Sequence, residues 1–189
     1  MHRNFRKPLV VMAPKSLLRH KRAVSRLADL GPGSSFHRVM YCDERPSEPA
    51  DARQVVLCSG KVYYELLAER EKRGVTDVHF LRLEQLYPFP FDALSEELAP
   101  YRHCHLVWCQ EEPRNMGAWD FIAGFIEEVA AELGFSEPEP RYAGRMTAAS
   151  PATGLASRHR AEQQALIDEA FEIGKPALGR TAARRSQEG

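Results

Sequence analysis

The chain has 189 residues, with 26 basic and 26 acidic side chains and a formal net charge of zero. A chain of this length buries roughly 70% of its unfolded surface on folding, which is enough for one domain with a hydrophobic core. The balanced charge gives no reason to expect nucleic acid or an acidic membrane surface as a partner. The charge is unevenly distributed, however, because residues 1–28 hold eight basic side chains and no acidic one. We therefore expect this end of the chain to face anions.

Four cysteines, Cys42, Cys58, Cys104 and Cys109, lie far apart, without a CxxC spacing. This pattern predicts reduced thiols in a cytoplasmic protein. The sequence contains no run of about 18 apolar residues, and its first residues lack the hydrophobic core of a secretion signal. We expect a soluble protein without a membrane span.

The first quarter of the chain predicts short elements. Residues 1–8 are polar and basic and predict an exposed lead-in, and the apolar run Leu9–Met12 predicts a strand. Residues 15–21 then predict a short helix whose first turn combines free backbone amides with cations, and such an end favours an anion. The following residues predict a helical piece at 23–30, a strand at 36–42 and a surface loop at 43–53.

Residues 55–90 predict a strand, a helix and a second strand in one unit. An apolar run ends at Ser59-Gly60-Lys61, where the serine oxygen can cap the first turn of a helix. Apolar residues recur at helical spacing from Val62 to Leu67, and Gly74 can close the helix in a left-handed conformation. The apolar run at 78–83 then predicts a second strand. We expect a βαβ crossover between parallel strands.

The rest of the chain continues the alternation of strands and helices. Prolines between the aromatic residues at 86–91 predict a rigid, extended corner. The run His105–Cys109 is apolar between its ends and predicts a strand buried on both faces. A polar loop from Gln110 to Gly117 is predicted to follow this strand. The further elements predicted are helices at 92–98, 119–133 and 158–173, a strand at 141–145, a small-residue loop at Met146–Gly154 and a disordered tail at 175–189.

This alternation predicts an α/β domain over residues 9–174, built as a three-layer, open and mostly parallel sheet with helices on both faces. Ligands usually meet such a sheet at the loops that follow the carboxyl ends of the strands. In one of these loops Ser59, Gly60 and Lys61 supply the parts of an anion-binding site. The GxxxxGK spacing of a nucleoside triphosphatase is missing. The alternative is an ordinary helix cap.

Two other groups of polar residues have competing interpretations. The adjacent Glu111 and Glu112 suggest acid–base chemistry, but a structural or interface role is favoured at a strand exit. The group of His103, Cys104 and His105, together with Cys109, suggests a metal site, yet neighbouring side chains on a strand point to opposite faces, so we expect no metal. The loop Met146–Gly154 is either a plain connection or a surface that lets another backbone come close, in a subunit contact or a ligand site. No set of residues forms a nucleophile, a base and an orienting group, and we predict no catalytic residue in the chain.

Five motifs stand in the chain: FRKPLVVMAPKSLLRH at Phe5–His20, VVLCSGKVYYELLAER at Val55–Arg70, LRLEQLYPFP at Leu81–Pro90, VWCQEEPRNMGAW at Val107–Trp119 and RYAGRMTAASPATG at Arg141–Gly154. In this order they resemble the C-terminal region of the thiamine-diphosphate-dependent 2-oxoglutarate dehydrogenase (succinyl-transferring) family. The resemblance covers nearly everything from Phe5 to Ile173. The stretch Met146-Thr147-Ala148 departs from the family pattern, which reads closer to Pro-Ala-Ser there.

The resemblance implies the C-terminal domain of a transketolase-like fold, in a chain that is a fragment of the whole enzyme. The family decarboxylates 2-oxoglutarate and transfers succinyl to a lipoyl carrier in the tricarboxylic acid cycle. Its thiamine diphosphate and magnesium are held by domains that have no counterpart here. The implied partners are the missing N-terminal part, a second copy in a homodimer and the dihydrolipoyl succinyltransferase complex.

For this chain the resemblance implies dimerisation, domain contact and the binding of an effector such as AMP or acetyl-CoA. The candidate effector residues are Lys15, Ser16, Arg19, Ser59 and Lys61. The candidate interface residues are Glu111, Glu112, Asn115, Trp119, Arg145 and Ser150. The alternatives are a stand-alone nucleotide or acyl-CoA binding module and an assembly domain without a ligand.

Overall fold

The computed structural model of the protein describes residues 4–41 and 46–172. The chain divides into two units, Met1–Ser35 and Phe36–Gly189. The domain boundaries expected at residues 9 and 174 remain predictions. The tail expected at 175–189 and the thiol of Cys42 lie outside the described residues.

The first unit contains two short 3-10 turns, Lys15–Leu17 and Leu27–Leu30. The longer helices predicted at 15–21 and 23–30 are therefore wrong in extent, as expected for short helical segments without packing partners. The strand predicted at Leu9–Met12 is also wrong, since within the described part of the first unit these residues pair with no strand and their side chains are exposed. An apolar run becomes a strand only where a neighbour satisfies its backbone groups.

The second unit, over residues 36–41 and 46–172, contains the strands β1 Val39–Tyr41, β2 Gln54–Cys58, β3 Val78–Leu83, β4 His105–Pro113 and β5 Arg141–Arg145. They form one sheet of order β1-β3-β2-β4-β5. Three of the four strand pairings in this sheet are parallel, and the fourth, between β1 and β3, is antiparallel. The predicted α/β class with a mostly parallel sheet is confirmed. The helices of this unit are α1 Val62–Arg73, α2 Phe91–Leu98, α3 Trp119–Leu133 and α4 Ala156–Phe171.

The predicted βαβ crossover is confirmed by the parallel pairing of β2 with β3, which places Val56 opposite Phe80. Helix α1 ends at Gly74, whose φ of 65° is left-handed as expected. The predicted capping by Ser59 is wrong. The capping position is Lys61, and no described side chain caps the helix. The turn at Gly60, with a φ of 75°, delays the helix start beyond the reach of the serine.

Apolar clusters cover both faces of the sheet. Alternate residues of β2 point to opposite faces, so that Val55 packs in the cluster beneath α2 and α3 while Val56 packs in the cluster beneath α1 and α4. Every residue of β2 is buried. The continuous apolar runs of the sequence thus correspond to strands covered on both sides. Among the described residues no helix is long and apolar enough to cross a membrane.

Strand β4 is longer than predicted, because it continues through Gln110 to Pro113 where a polar loop was expected. Its pairing with β5 shifts register between Gln110 and Pro113. The buried Gln110 side chain holds this irregular stretch, since its Nε2 donates to the Met116 carbonyl at 2.7 Å and its Oε1 accepts from Trp108 Nε1 at 2.9 Å. A strand can extend beyond its apolar residues where a polar side chain forms hydrogen bonds with several backbone groups.

Candidate ligand and interface site

The carboxyl ends of β2, β4 and β5 lie at the same edge of the sheet, where ligands of α/β proteins usually bind. They bring together Lys61 after β2, Glu111 on β4 and Arg145 at the end of β5. Helix α4 packs against β4 and β5 and adds Gln163. We call Lys61, Glu65, Glu111, Arg145 and Gln163 the edge network.

Lys61 occupies one end of the edge network. Its Nζ forms an ion pair with the Glu111 carboxylate and lies 3.0 Å from Glu65 Oε1. Partial burial by itself lowers the pKa of Lys61, but the hydrogen bonds with Glu111 and Glu65 outweigh this effect and raise the pKa above its ordinary value. An anion at Lys61 would have to compete with two carboxylates. The position is therefore a poorer anion-binding site than its sequence indicates.

Gln163 connects the two ends of the network. Its Nε2 donates to Glu65 Oε2 and to Glu111 Oε1, both at 2.9 Å, and its Oε1 accepts from Arg145 Nη2 at 3.1 Å. We did not predict this residue from the sequence. A signal was present, because Gln163 stands three and four positions before the buried Leu166 and Ile167 and so occupies the apolar stripe of α4.

Arg145, an interface candidate, is largely buried, with 8% of its side chain exposed. Its Nη2 donates to His159 Nδ1 at 2.9 Å, which requires that nitrogen to be unprotonated. Its Nε lies 3.7 Å from Glu162 Oε2 and finds no hydrogen-bond partner within the part of the chain that the structure describes. Arg145 thus anchors α4 to β5 from inside the chain.

The loop Met146–Gly154 covers a cavity of about 690 Å³ between β5 and α4. Asn115, another interface candidate, holds the loop with two hydrogen bonds, from its Nδ2 to the Ala148 carbonyl at 3.0 Å and from the Ala148 amide to its Oδ1 at 3.1 Å. Thr153 donates to Glu162 at the other end of the loop. The hydrogen bonds that Glu162 accepts from Thr153 and Arg158 lower the pKa of its carboxyl.

The other interface candidates lie in different surroundings. Ser150 is exposed on the loop and Glu112 is exposed on β4. Trp119 is buried, with 5% exposed, and its backbone amide donates to Gln110 Oε1 at 3.1 Å. Little of the Trp119 side chain is therefore available to an interface.

The effector candidates fall into two groups that lie in different units of the chain. Lys15, Ser16 and Arg19 belong to the first unit, where all three are exposed at or just after the Lys15–Leu17 turn. Ser59 and Lys61 belong to the second unit and are half-buried at the start of α1.

Three cysteines and one histidine are buried among the described residues. Burial raises the pKa of the Cys104 thiol to about 12 and raises that of Cys109 well above its ordinary value, so both stay protonated. His79 is buried, and its Nε2 lies 3.0 Å from Ser47 Oγ while its Nδ1 lies 3.1 Å from Tyr101 Oη. Within residues 4–41 and 46–172 no three His, Cys, Asp or Glu side chains are placed to hold a metal ion.

Replacing Lys61 with methionine is expected to lower the free energy of unfolding by about 1–2 kcal/mol, because Glu65 and Glu111 then face each other without a cation. The raised pKa of Lys61 means that its contribution is fully present below the ordinary lysine pKa of about 10.4 and is lost as the pH rises through the folded value. Urea unfolding of both proteins should therefore show a constant difference from pH 6 to pH 9 that shrinks above about pH 10.5. Lys72→Met, at an exposed pair with Glu69, is the control and should change little.

Residues 24–171 match the protein family described as 2-oxoglutarate dehydrogenase C-terminal. Proteins named 2-oxoglutarate dehydrogenase E1 component, from Brucella abortus strain S19, Brucella ovis and Brucella melitensis biotype 2, are each 56% identical to the chain over 179 residues. The alignments cover 90% of this chain and 18% of each relative. The chain thus spans less than a fifth of the length of these relatives. The comparisons do not support the alternative of a stand-alone nucleotide or acyl-CoA binding module.

Proposed function

We propose that this chain, which belongs to the 2-oxoglutarate dehydrogenase C-terminal family, serves as the C-terminal domain of a 2-oxoglutarate dehydrogenase E1 component. The whole enzyme would decarboxylate 2-oxoglutarate with thiamine diphosphate and magnesium and transfer succinyl to a lipoyl carrier in the tricarboxylic acid cycle. The single observation that carries this proposal is the 56% identity to E1 components over nearly the whole chain. The observed sheet is compatible with the C-terminal domain of a transketolase-like enzyme.

The described residues do not fit the two cofactors. The carboxylates at the edge of the sheet are engaged by Lys61, Gln163 and Arg145, and in the described ranges no cluster of ligands suits a metal ion. We therefore assign no catalytic step to this chain. Thiamine diphosphate and magnesium would bind parts of the enzyme that the chain does not cover.

The role that we assign to the chain is domain contact and support of a homodimer, in an enzyme that works with a dihydrolipoyl succinyltransferase complex in the cytoplasm. Cys58, Cys104 and Cys109 are buried and reduced, which is compatible with a reducing compartment. The exposed Glu112, Asn115 and Ser150 remain the interface candidates that other domains can reach, whereas Glu111, Trp119 and Arg145 would support them from within.

A chimera tests the proposed function. The matched C-terminal region of the Brucella abortus E1 component is exchanged for this chain, and CO2 release from 2-oxoglutarate is measured with thiamine diphosphate and magnesium. We expect an active chimera, an inactive chain when it is assayed alone, and little activity from the relative truncated before the matched region. Decarboxylation by the chain alone would contradict our assignment, as would a folded dimeric chimera without activity.

We further propose that an anionic effector such as AMP or acetyl-CoA binds at Lys15, Ser16 and Arg19, with Ser59 and Lys61 as additional candidates. Exposed cations at and just after the Lys15–Leu17 turn support the first group. The competition from Glu65 and Glu111 weakens the case for Lys61.

In the chimera, Arg19→Ala should weaken AMP or acetyl-CoA binding about tenfold, since it removes one charge-assisted hydrogen bond. Calorimetry of the purified chimera measures the dissociation constant. Arg6→Ala is the matched control, because it removes an exposed cation of the same unit that lies outside the turn. Equal affinities for the Arg19 variant and the unchanged chimera would remove this residue from the site.

A further inference from the structure

Helices α2 and α3 present aromatic rings to solvent on the side that faces away from the sheet. Phe91 is 38% exposed and Phe121 is 47% exposed. Phe125, which is half-buried and packs on the core residue Phe89, joins them, because its ring centroid lies 5.5 Å from that of Phe91 and 5.4 Å from that of Phe121. Single exposed apolar side chains are common, but rings in mutual contact form a continuous apolar surface of the kind that binds partners. We call Phe91, Phe121 and Phe125 the aromatic patch.

A glycine stands beside the aromatic patch in the interior of α3. Gly124 is exposed, and a Cβ added to it would meet no atom of the described residues within 4 Å. Glycine weakens a helix interior relative to alanine, and packing among the described residues gives no reason for it here. A missing side chain next to exposed rings lets another element come close to the helix backbone. The glycine is thus a second, independent indication of an interface at the same place.

The charged residues of the two helices that carry the aromatic patch have one sign. Helices α2 and α3 contain no lysine or arginine, and their acidic residues are Asp92, Glu96, Glu97, Asp120, Glu127, Glu128 and Glu132. Of these, Asp92, Asp120 and Glu128 are exposed close in sequence to the rings. A second copy of the chain packed through the same face would bring like charges together. Complementary charge therefore favours a basic partner over a symmetric dimer at this surface.

We propose that the aromatic patch and Gly124 form a docking surface for a basic amphipathic helix of another polypeptide. The apolar side of that helix would cover Phe91, Phe121 and Phe125, with its backbone close to Gly124 and its lysines or arginines opposite Asp92, Asp120 and Glu128. Helices commonly bind such surfaces through apolar residues at positions i, i+3, i+4 and i+7. The inference rests on the second unit alone and does not depend on the proposed function.

The test uses the full chain and two synthetic helical peptides of about 18 residues, long enough to form a helix on binding. One peptide carries leucine on one face and lysine on the other, and in its counterpart glutamate replaces lysine. Calorimetry and backbone amide shifts should show that the lysine peptide binds at α2 and α3, that added salt weakens it, and that the glutamate peptide binds at least about tenfold more weakly.

Gly124→Leu should weaken binding of the lysine peptide at least about tenfold, because the new side chain fills the space that the peptide backbone needs. Phe121→Ser removes one ring of the patch and should have a similar effect, and it keeps the proposal testable if the first variant does not fold. Ala68→Leu, on the exposed face of α1, is the matched control and should leave affinity unchanged. Circular dichroism checks the fold of each variant.

Three results would overturn the proposal. Equal binding of the two peptides would show that the acidic residues do not select a basic partner. Unchanged binding to folded Gly124→Leu and Phe121→Ser would show that the peptide does not bind at the aromatic patch. Sedimentation that shows a dimer of the unmodified chain, dissociated by Gly124→Leu, would assign the surface to a second copy and not to a basic partner.

Discussion

Replacing Gln110 with methionine is expected to lower the free energy of unfolding by about 3–5 kcal/mol, although the two side chains have similar volumes. The amide oxygen accepts from the Trp108 indole and from the Trp119 backbone amide, and the amide nitrogen donates to the Met116 carbonyl. The thioether satisfies none of these buried groups. Each buried donor or acceptor left without a partner costs about 1–3 kcal/mol, and the costs are not fully additive.

Urea unfolding followed by tryptophan fluorescence measures this loss, because Trp108 and Trp119 both report on the surroundings of Gln110. Gln164→Met is the matched control, since Gln164 is exposed on α4 and donates to Asp168 at 3.0 Å. The control should change the free energy of unfolding by less than about 0.5 kcal/mol. A loss below about 1 kcal/mol for Gln110→Met would show that water replaces the amide and that Gln110 does not hold the end of β4.

The central unit β2-α1-β3 was predictable from the sequence because its signals are local and agree with one another. The apolar runs at 55–58 and 78–83 are too short for buried helices, and the helical spacing between them ends at a glycine. Short-range pattern decides the structure in such a unit. The family resemblance, which rests partly on the same stretch, was confirmed by the family match over residues 24–171.

The extension of β4 beyond Cys109 could not be read from the pattern. The residues Gln110 and Glu111 are polar, and local composition favours a loop. Their strand conformation depends on pairing with β5, some 30 residues further along the chain, and on the bonds that the Gln110 amide makes around the bulge. Leu9–Met12 shows the opposite case, because an apolar run without a neighbouring strand stays unpaired whatever its own preference.

The position of the candidate site was predicted from the sequence, but the ion pairs and hydrogen bonds formed there were not. The loops after β2, β4 and β5 do meet at one edge, as the general rule for α/β sheets requires. Lys61 meets Glu111 and Glu65 there, and residues 50 positions apart give no sign in the sequence that they will neutralise each other. Arg145 likewise has its partners on α4, so its burial follows from the docking of that helix.

Replacing Gly144 with alanine is the second change for which we expect a large effect, a loss of about 2–3 kcal/mol in the free energy of unfolding. An added Cβ would lie 2.4 Å from the Tyr142 hydroxyl oxygen and 2.9 Å from the Gln110 carbonyl oxygen. The tyrosine cannot easily move, because its hydroxyl donates to the Arg145 carbonyl at 2.9 Å. The carbonyl belongs to the backbone of β4, so relief of the contact requires the strands to separate.

Gly124→Ala is the matched control and should act in the opposite direction, raising the free energy of unfolding by about 0.5–1 kcal/mol, since a Cβ there enters open space in a helix. A double-mutant cycle with Tyr142→Leu separates the two contacts of Gly144→Ala. The combined loss should be smaller than the sum, because removal of the tyrosine ring relieves the first contact. The part that remains reports the clash with the Gln110 carbonyl, and strictly additive losses would show that the Tyr142 ring does not restrict residue 144.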